Sequence, residues 1–145
     1  MSKVDFYILG NAGEDESLRI ACRLAEKAWR QGNRVRVQAE NSEAVRRLDT
    51  LMWTFKQESF VAHEVEGENA DWQTLDPAPV ILGETDLPVE PPDVLINLSG
   101  KVPTMAGRCP RVAEVVAPDP ASKQAGRDRY RQYRDLGFEL DSHQV

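Results

Sequence analysis

Two short runs rich in apolar residues, at 4–9 and 35–39, enclose a stretch of helical periodicity, and this alternation constrains the chain more than any other feature. Between the runs, Leu18, Ala21, Cys22, Ala25, Ala28 and Trp29 recur at a spacing that gathers them on one helix face, with Arg19, Arg23, Glu26 and Arg30 on the other. Gly32 stands where such a helix stops, because glycine accepts the left-handed backbone that closes a last turn. Asn41 and Ser42 are both good caps for a second helix that carries Ala44, Val45, Leu48, Leu51 and Met52 inward. The chain therefore opens β-α-β-α.

Further runs at 80–82, 94–98 and 112–116 read as short strands, with a loop containing Pro88, Pro91 and Pro92 between the first two. The polar stretch 67–79 reads as a surface loop. Asp119 or Ser122 caps a last helix that runs to Leu136, and Gly137 ends it before Phe138, Glu139 and Leu140. Strands alternating with helices predict one three-layer, Rossmann-like α/β domain whose mostly parallel sheet is flanked by helices. The 145 residues suit a single core, with 141–145 expected as a flexible tail.

Several function classes lose support on residue content. No apolar run approaches the roughly 20 residues that span a bilayer, and the N-terminus lacks a signal-peptide pattern, so a cytoplasmic protein is expected. Cys22 and Cys109 are far apart and read as buried thiols rather than a disulfide. With His63 and His143 as the two histidines and no close Cys or His pairs, neither a zinc site nor any other cofactor is expected. The first turn, Gly10-Asn11-Ala12-Gly13-Glu14-Asp15-Glu16, lacks both phosphate-loop spacings, and its carboxylates already complement the helix dipole where a phosphate would sit. Glu40 stands near the place of a ribose-binding acid, but without a phosphate loop it reads as an exposed residue before a helix cap. Ser99 lies outside any nucleophile elbow, and His63 reads as a structural or surface histidine, so no catalytic set emerges.

Charge is distributed unevenly. The net charge is −6, yet residues 121–136 hold five cations against two carboxylates, a local +3 that leaves −9 for the rest. On a helical wheel Lys123, Arg127, Tyr130, Arg131 and Arg134 share a sector of about 100°. Ser122, Ala125, Gly126, Arg129, Tyr133 and Leu136 form the packing side, where Arg129 is the awkward member, and Asp128 and Asp135 lie between. Four cations around a ring suit carboxylates accompanied by an apolar side chain, so an acidic peptide is a better match than nucleic acid on so acidic a domain. Trp53 points away from its helix's apolar stripe, and with Phe60 close in sequence the two rings can form an exposed anchor patch.

These residues together resemble a known family, the chi subunit of the bacterial DNA polymerase III holoenzyme. The resemblance is carried in order by Asp5-Phe6-Tyr7-Ile8-Leu9, Trp29-Arg30-Gln31-Gly32-Asn33-Arg34-Val35, Arg47-Leu48-Asp49 with Leu51-Met52-Trp53, and Glu58-Ser59-Phe60-Val61 with His63. It continues through Asp93-Val94-Leu95-Ile96-Asn97-Leu98, Glu114-Val115-Val116, and Arg127-Asp128-Arg129-Tyr130-Arg131-Gln132-Tyr133-Arg134 with Gly137-Phe138. It implies a non-catalytic adaptor that joins the clamp loader, through its psi subunit, to the acidic C-terminal tail of single-stranded DNA-binding protein. The tail site would be Lys123, Arg127, Tyr130, Arg131 and Arg134, and the psi contact Trp53 and Phe60; in some members the aromatic surface engages an accessory helicase instead. Nucleic acid would be met only indirectly. Ala62 stands where the family often has proline, Ala125 and Gly126 replace bulkier residues, and 64–79 matches poorly. The rival readings are a nucleotide-dependent enzyme using the Rossmann-like crevice and a direct binder of single-stranded DNA.

Overall fold

The structure is a computed structural model that describes residues 2–145 apart from 12, 14, 57–59, 68, 69, 74, 76 and 87–89. Glu14, Glu58, Ser59 and Pro88 therefore lie outside the described residues. The strands are β1 (Lys3–Ile8), β2 (Val35–Gln38), β3 (His63–Val65), β4 (Val80–Gly83), β5 (Val94–Asn97), β6 (Arg111–Val116) and β7 (Glu139–Gln144). The helices are α1 (Glu16–Arg30), α2 (Ser42–Thr54) and α3 (Pro120–Asp135), with a 3-10 turn at Thr104–Arg108. All strands join one sheet in the order β3-β4-β2-β5-β6-β1-β7, and every pairing is parallel. This is the expected Rossmann-like α/β domain.

Both faces of the central sheet are covered, so β2, β4 and β5 are buried at every position. β4 and β5 read as apolar runs, whereas β2 also buries Arg36 and Gln38, with Arg36 donating to Gln38 Oε1 at 2.9 Å and to Glu66 Oε1 at 2.7 Å. On one face α1 and α2 pack Ala21, Cys22, Ala25, Val45, Leu48 and Met52 onto Val35, Val37 and Ile96. On the other, α3 and the 3-10 turn bring Tyr133, Met105 and Ala106 onto Val4, Phe6, Leu95, Val112 and Val116. Alternate residues of β1 and β6 serve the two cores, as the strand period of two requires.

Helix ends follow the sequence signals. Gly32 takes φ 86°, and the N–H of Asn33 reaches back to the Ala28 carbonyl at 3.2 Å. The Asn41 side chain accepts from the Ala44 N–H at 2.9 Å, and Asp119 accepts from the Ser122 N–H at 2.9 Å, which makes these two the working caps.

Three expectations are corrected. Residues 141–144, read as part of a flexible tail, belong to β7, whose register pairs Asp141 with Asp5 and Gln144 with Ile8. Its pattern is nearly all polar because an edge strand is held by backbone bonding to one neighbour and buries little. Leu136, assigned to the packing side of the last helix, is 65% exposed, because the helix proper ends at Asp135 and the chain turns at Gly137. Within 67–79, read as surface, Trp72 is buried, and the Ala78 carbonyl accepts the indole N–H of Trp29 at 2.9 Å.

Both cysteines are free and buried. Burial raises the Cys22 thiol to about 12 and the Cys109 thiol to about 11, from an ordinary 9.0. The neutral form is favoured inside, so this contribution is complete below pH 9.0 and is lost as pH rises through 11 and 12. Native protein at pH 8 is expected to react with an aromatic disulfide reagent at least ~100-fold more slowly than the urea-unfolded chain. Equal rates in the two states would contradict the burial.

Candidate functional site

The site is organised from behind, by a carboxylate that the sequence does not mark. Glu114 of β6 is fully buried and points at α3. Its Oε1 accepts from Arg129 Nε at 2.8 Å, and its Oε2 from the Tyr133 hydroxyl at 2.6 Å and Asn97 Nδ2 at 2.7 Å. Arg129 Nη1 also donates to the Gly100 carbonyl at 3.2 Å. Burial holds the Glu114 carboxyl above the usual range, while the Arg129 guanidinium and the Tyr133 and Asn97 donors draw it back. Arg129 and Tyr133, one turn apart, thus fix which side of α3 faces the sheet, and Arg129 ceases to be awkward.

With that side inward, Lys123, Arg127, Tyr130 and Arg131 form one wall of a groove of about 460 Å³. Its floor is Phe6 and Ile8 of β1 with Val116 of β6, and Ser142 and Gln144 of β7 close the far side. The Tyr130 ring lies 5.4 Å from that of Phe6, so the wall and floor are in aromatic contact. Lys123 and Arg127 are exposed and make no ion pair among the described residues. Arg131 is ion-paired with Asp128, which also accepts from Gln124. Arg134 lies beyond the groove lining, with its guanidinium 3.6 Å from Asp135. An apolar trough with cations on one rim is chemically suited to an anionic chain that ends in a bulky apolar group.

The floor residues were not identified from sequence. Phe6 and Ile8 alternate with Tyr7 along β1, so their pattern shows a strand, but only the neighbours β6 and β7 show that they floor a groove.

Trp53 and Phe60 form a second cluster. They are 60% and 59% exposed, with ring centroids 5.8 Å apart. Trp53 also meets His63 edge-on at 4.7 Å. His63 is buried, with Nδ1 2.8 Å from the Val61 carbonyl and Nε2 3.2 Å from Asp49 Oδ1 but poorly aligned with it. The sheet order puts this cluster at the β3 end, on the face covered by α2, and the groove at the β7 end on the opposite face.

The crevice at the carboxyl ends of β1, β5 and β6 is lined by Asp15, Glu16, Glu40, Ser99, Arg47 and Arg129 among others. Arg47 is ion-paired with Asp15, Arg129 with Glu114, and the Ser99 hydroxyl donates to Asn97 Oδ1 at 2.7 Å. Neither histidine lines it. Among the described residues no group of three or more His, Cys, Asp or Glu is placed to hold a metal ion.

Fold and site define a Rossmann-like α/β domain that carries a cation-rimmed apolar groove, set apart from an exposed aromatic pair. The chain belongs to the DNA polymerase III chi subunit (HolC) family, whose model matches residues 1–141. It is 40% identical over 145 residues to the DNA polymerase III subunit chi of Pseudomonas aeruginosa, covering 100% of this chain and 98% of that one. It is 31% identical over 147 residues to the subunit chi of Escherichia coli K12, covering 98% and 97%, and 31% identical over 141 residues to that of Haemophilus influenzae, covering 97% and 95%. Membership supports an accessory role in replication and association with the polymerase holoenzyme. No helix among the described residues is long and apolar enough to cross a membrane.

Proposed function

We propose that this chain is a non-catalytic, cytoplasmic adaptor of the replicative polymerase, tethering the clamp loader to the acidic C-terminal tail of single-stranded DNA-binding protein. The observation that carries the reading is the groove itself: an apolar floor of Phe6, Ile8 and Val116 beside the exposed cations Lys123 and Arg127. The tail's carboxylates pair with Lys123, Arg127 and Arg131, with Arg134 adding longer-range attraction, and its aromatic end enters the trough beside Tyr130. The psi subunit takes the Trp53 and Phe60 patch, which an accessory helicase can use in its place. Because the two surfaces lie at opposite ends of the sheet, one chain can hold both partners, and the linkage raises the local concentration of loader at coated single strands.

The test is NMR mapping of an acidic, Phe-ended peptide onto labelled protein, repeated with psi and with bare single-stranded DNA. Shifts are expected at Lys123, Arg127, Tyr130 and Phe6, weakening as salt rises. Replacing Trp53 and Phe60 by alanine is expected to weaken psi binding at least ~30-fold with the peptide affinity unchanged, since exposed anchor rings each carry about 1–3 kcal/mol. Binding of bare single-stranded DNA at physiological salt, with no peptide binding, would overturn the tether.

A further inference from the structure

We infer that Gly126 sets the depth of the α3 groove, and through it the preference for a large apolar group at the end of the docking chain. The inference rests on the tail-binding reading above and adds to it a residue with no charge and no side chain.

Gly126 is buried in the middle of α3, where glycine is an unfavourable helix residue, so its presence calls for a steric reason. It lines the groove between Lys123 and Arg127. A β-carbon built there would lie 3.1 Å from Val116 Cγ2 and 3.2 Å from Cγ1, tighter than ordinary contact. Val116 cannot retreat easily. It is 4% exposed, its carbonyl accepts the Leu9 N–H at 2.9 Å, and its β-branched side chain has few rotamers to choose from. The bare backbone at 126 therefore lets α3 settle onto the end of β6 and leaves the inner end of the trough unfilled. A methyl group would force the Val116 side chain to turn or α3 to lift. Either change alters the apolar end, while Lys123, Arg127 and Arg131 stay exposed on the rim.

The experiment measures two acidic peptides, identical except for a final Phe or Ala, against wild type and Gly126→Ala. Wild type is expected to favour the Phe-ended peptide by about 10-fold or more, the effect of burying one ring. Gly126→Ala is expected to cut that ratio at least three-fold, with the Ala-ended affinity and the salt dependence unchanged; adding Val116→Ala to make room is expected to recover it. An unchanged ratio in a folded Gly126→Ala variant overturns the inference, as does an equal loss for both peptides. Should that variant fail to fold, Val116→Ala alone serves: by deepening the trough it is expected to raise affinity for a Trp-ended over a Phe-ended peptide, and no such rise overturns the inference. If wild type binds neither peptide, the tail-binding reading itself has failed.

Discussion

Reversing the charge of Arg127 and Arg131 together is expected to weaken binding of the acidic, Phe-ended peptide by about 100-fold or more at low salt, because two attractions become two repulsions. The fold should not change. Both side chains are exposed, and the Arg131 ion pair with Asp128 is a surface pair of the kind worth at most about 1 kcal/mol. Calorimetry at low and high salt reads the effect, since screening over a Debye length of about 10 Å at 0.1 M narrows the gap between variant and wild type. Binding of psi, which we propose for the remote aromatic pair, serves as the internal control. Peptide affinity within two-fold of wild type in the double variant would remove the electrostatic basis of the groove reading.

Removing the Glu114 carboxylate should be the most damaging single change to stability. Glu114→Ala leaves the Arg129 guanidinium buried without its anion and deprives Tyr133 and Asn97 of their shared acceptor. Breaking a buried pair from one side costs about 3–5 kcal/mol, and for a domain of this size each kcal/mol lowers the melting midpoint by about 2–4 °C, so a fall on the order of 10 °C is expected. Replacing both partners by apolar residues, Glu114→Leu with Arg129→Met, should recover much of that loss, because no unpaired charge is then left inside. The double replacement also separates stability from function: if the network fixes the rotation of α3, peptide affinity stays reduced after the melting midpoint has recovered. A Glu114→Ala protein melting within 1–2 °C of wild type would show that the network contributes little.

The parts of this protein that were legible in sequence are those whose physics is local. β4 and β5 show as apolar runs because both faces of the sheet are covered, and α1, α2 and α3 show through period and caps. The cationic wall was legible for the same reason, since a helix wheel needs only spacing. What escaped was settled by distant partners. His63–Val65 is too short and β7 too polar to signal a strand, yet each is held by its neighbour's backbone. Arg129 looked misplaced because its partner Glu114 lies on a different element, and the groove floor was hidden because Phe6 stands 110 or more residues before every residue of the wall that faces it.

The position of β1 between β6 and β7 carries a consequence for how the chain is made. Synthesised first, it must wait for both of its hydrogen-bonding neighbours until nearly everything else has left the ribosome. During that interval Val4 and Phe6 have no permanent cover, and pairings of such long sequence separation form slowly. A nascent or prematurely terminated chain can hold much of α1 and α2 against the central strands, yet it has no trough. The groove proposed for an acidic chain end therefore forms late in biosynthesis, and fragments lacking the last strand are expected not to bind the acidic, Phe-ended peptide.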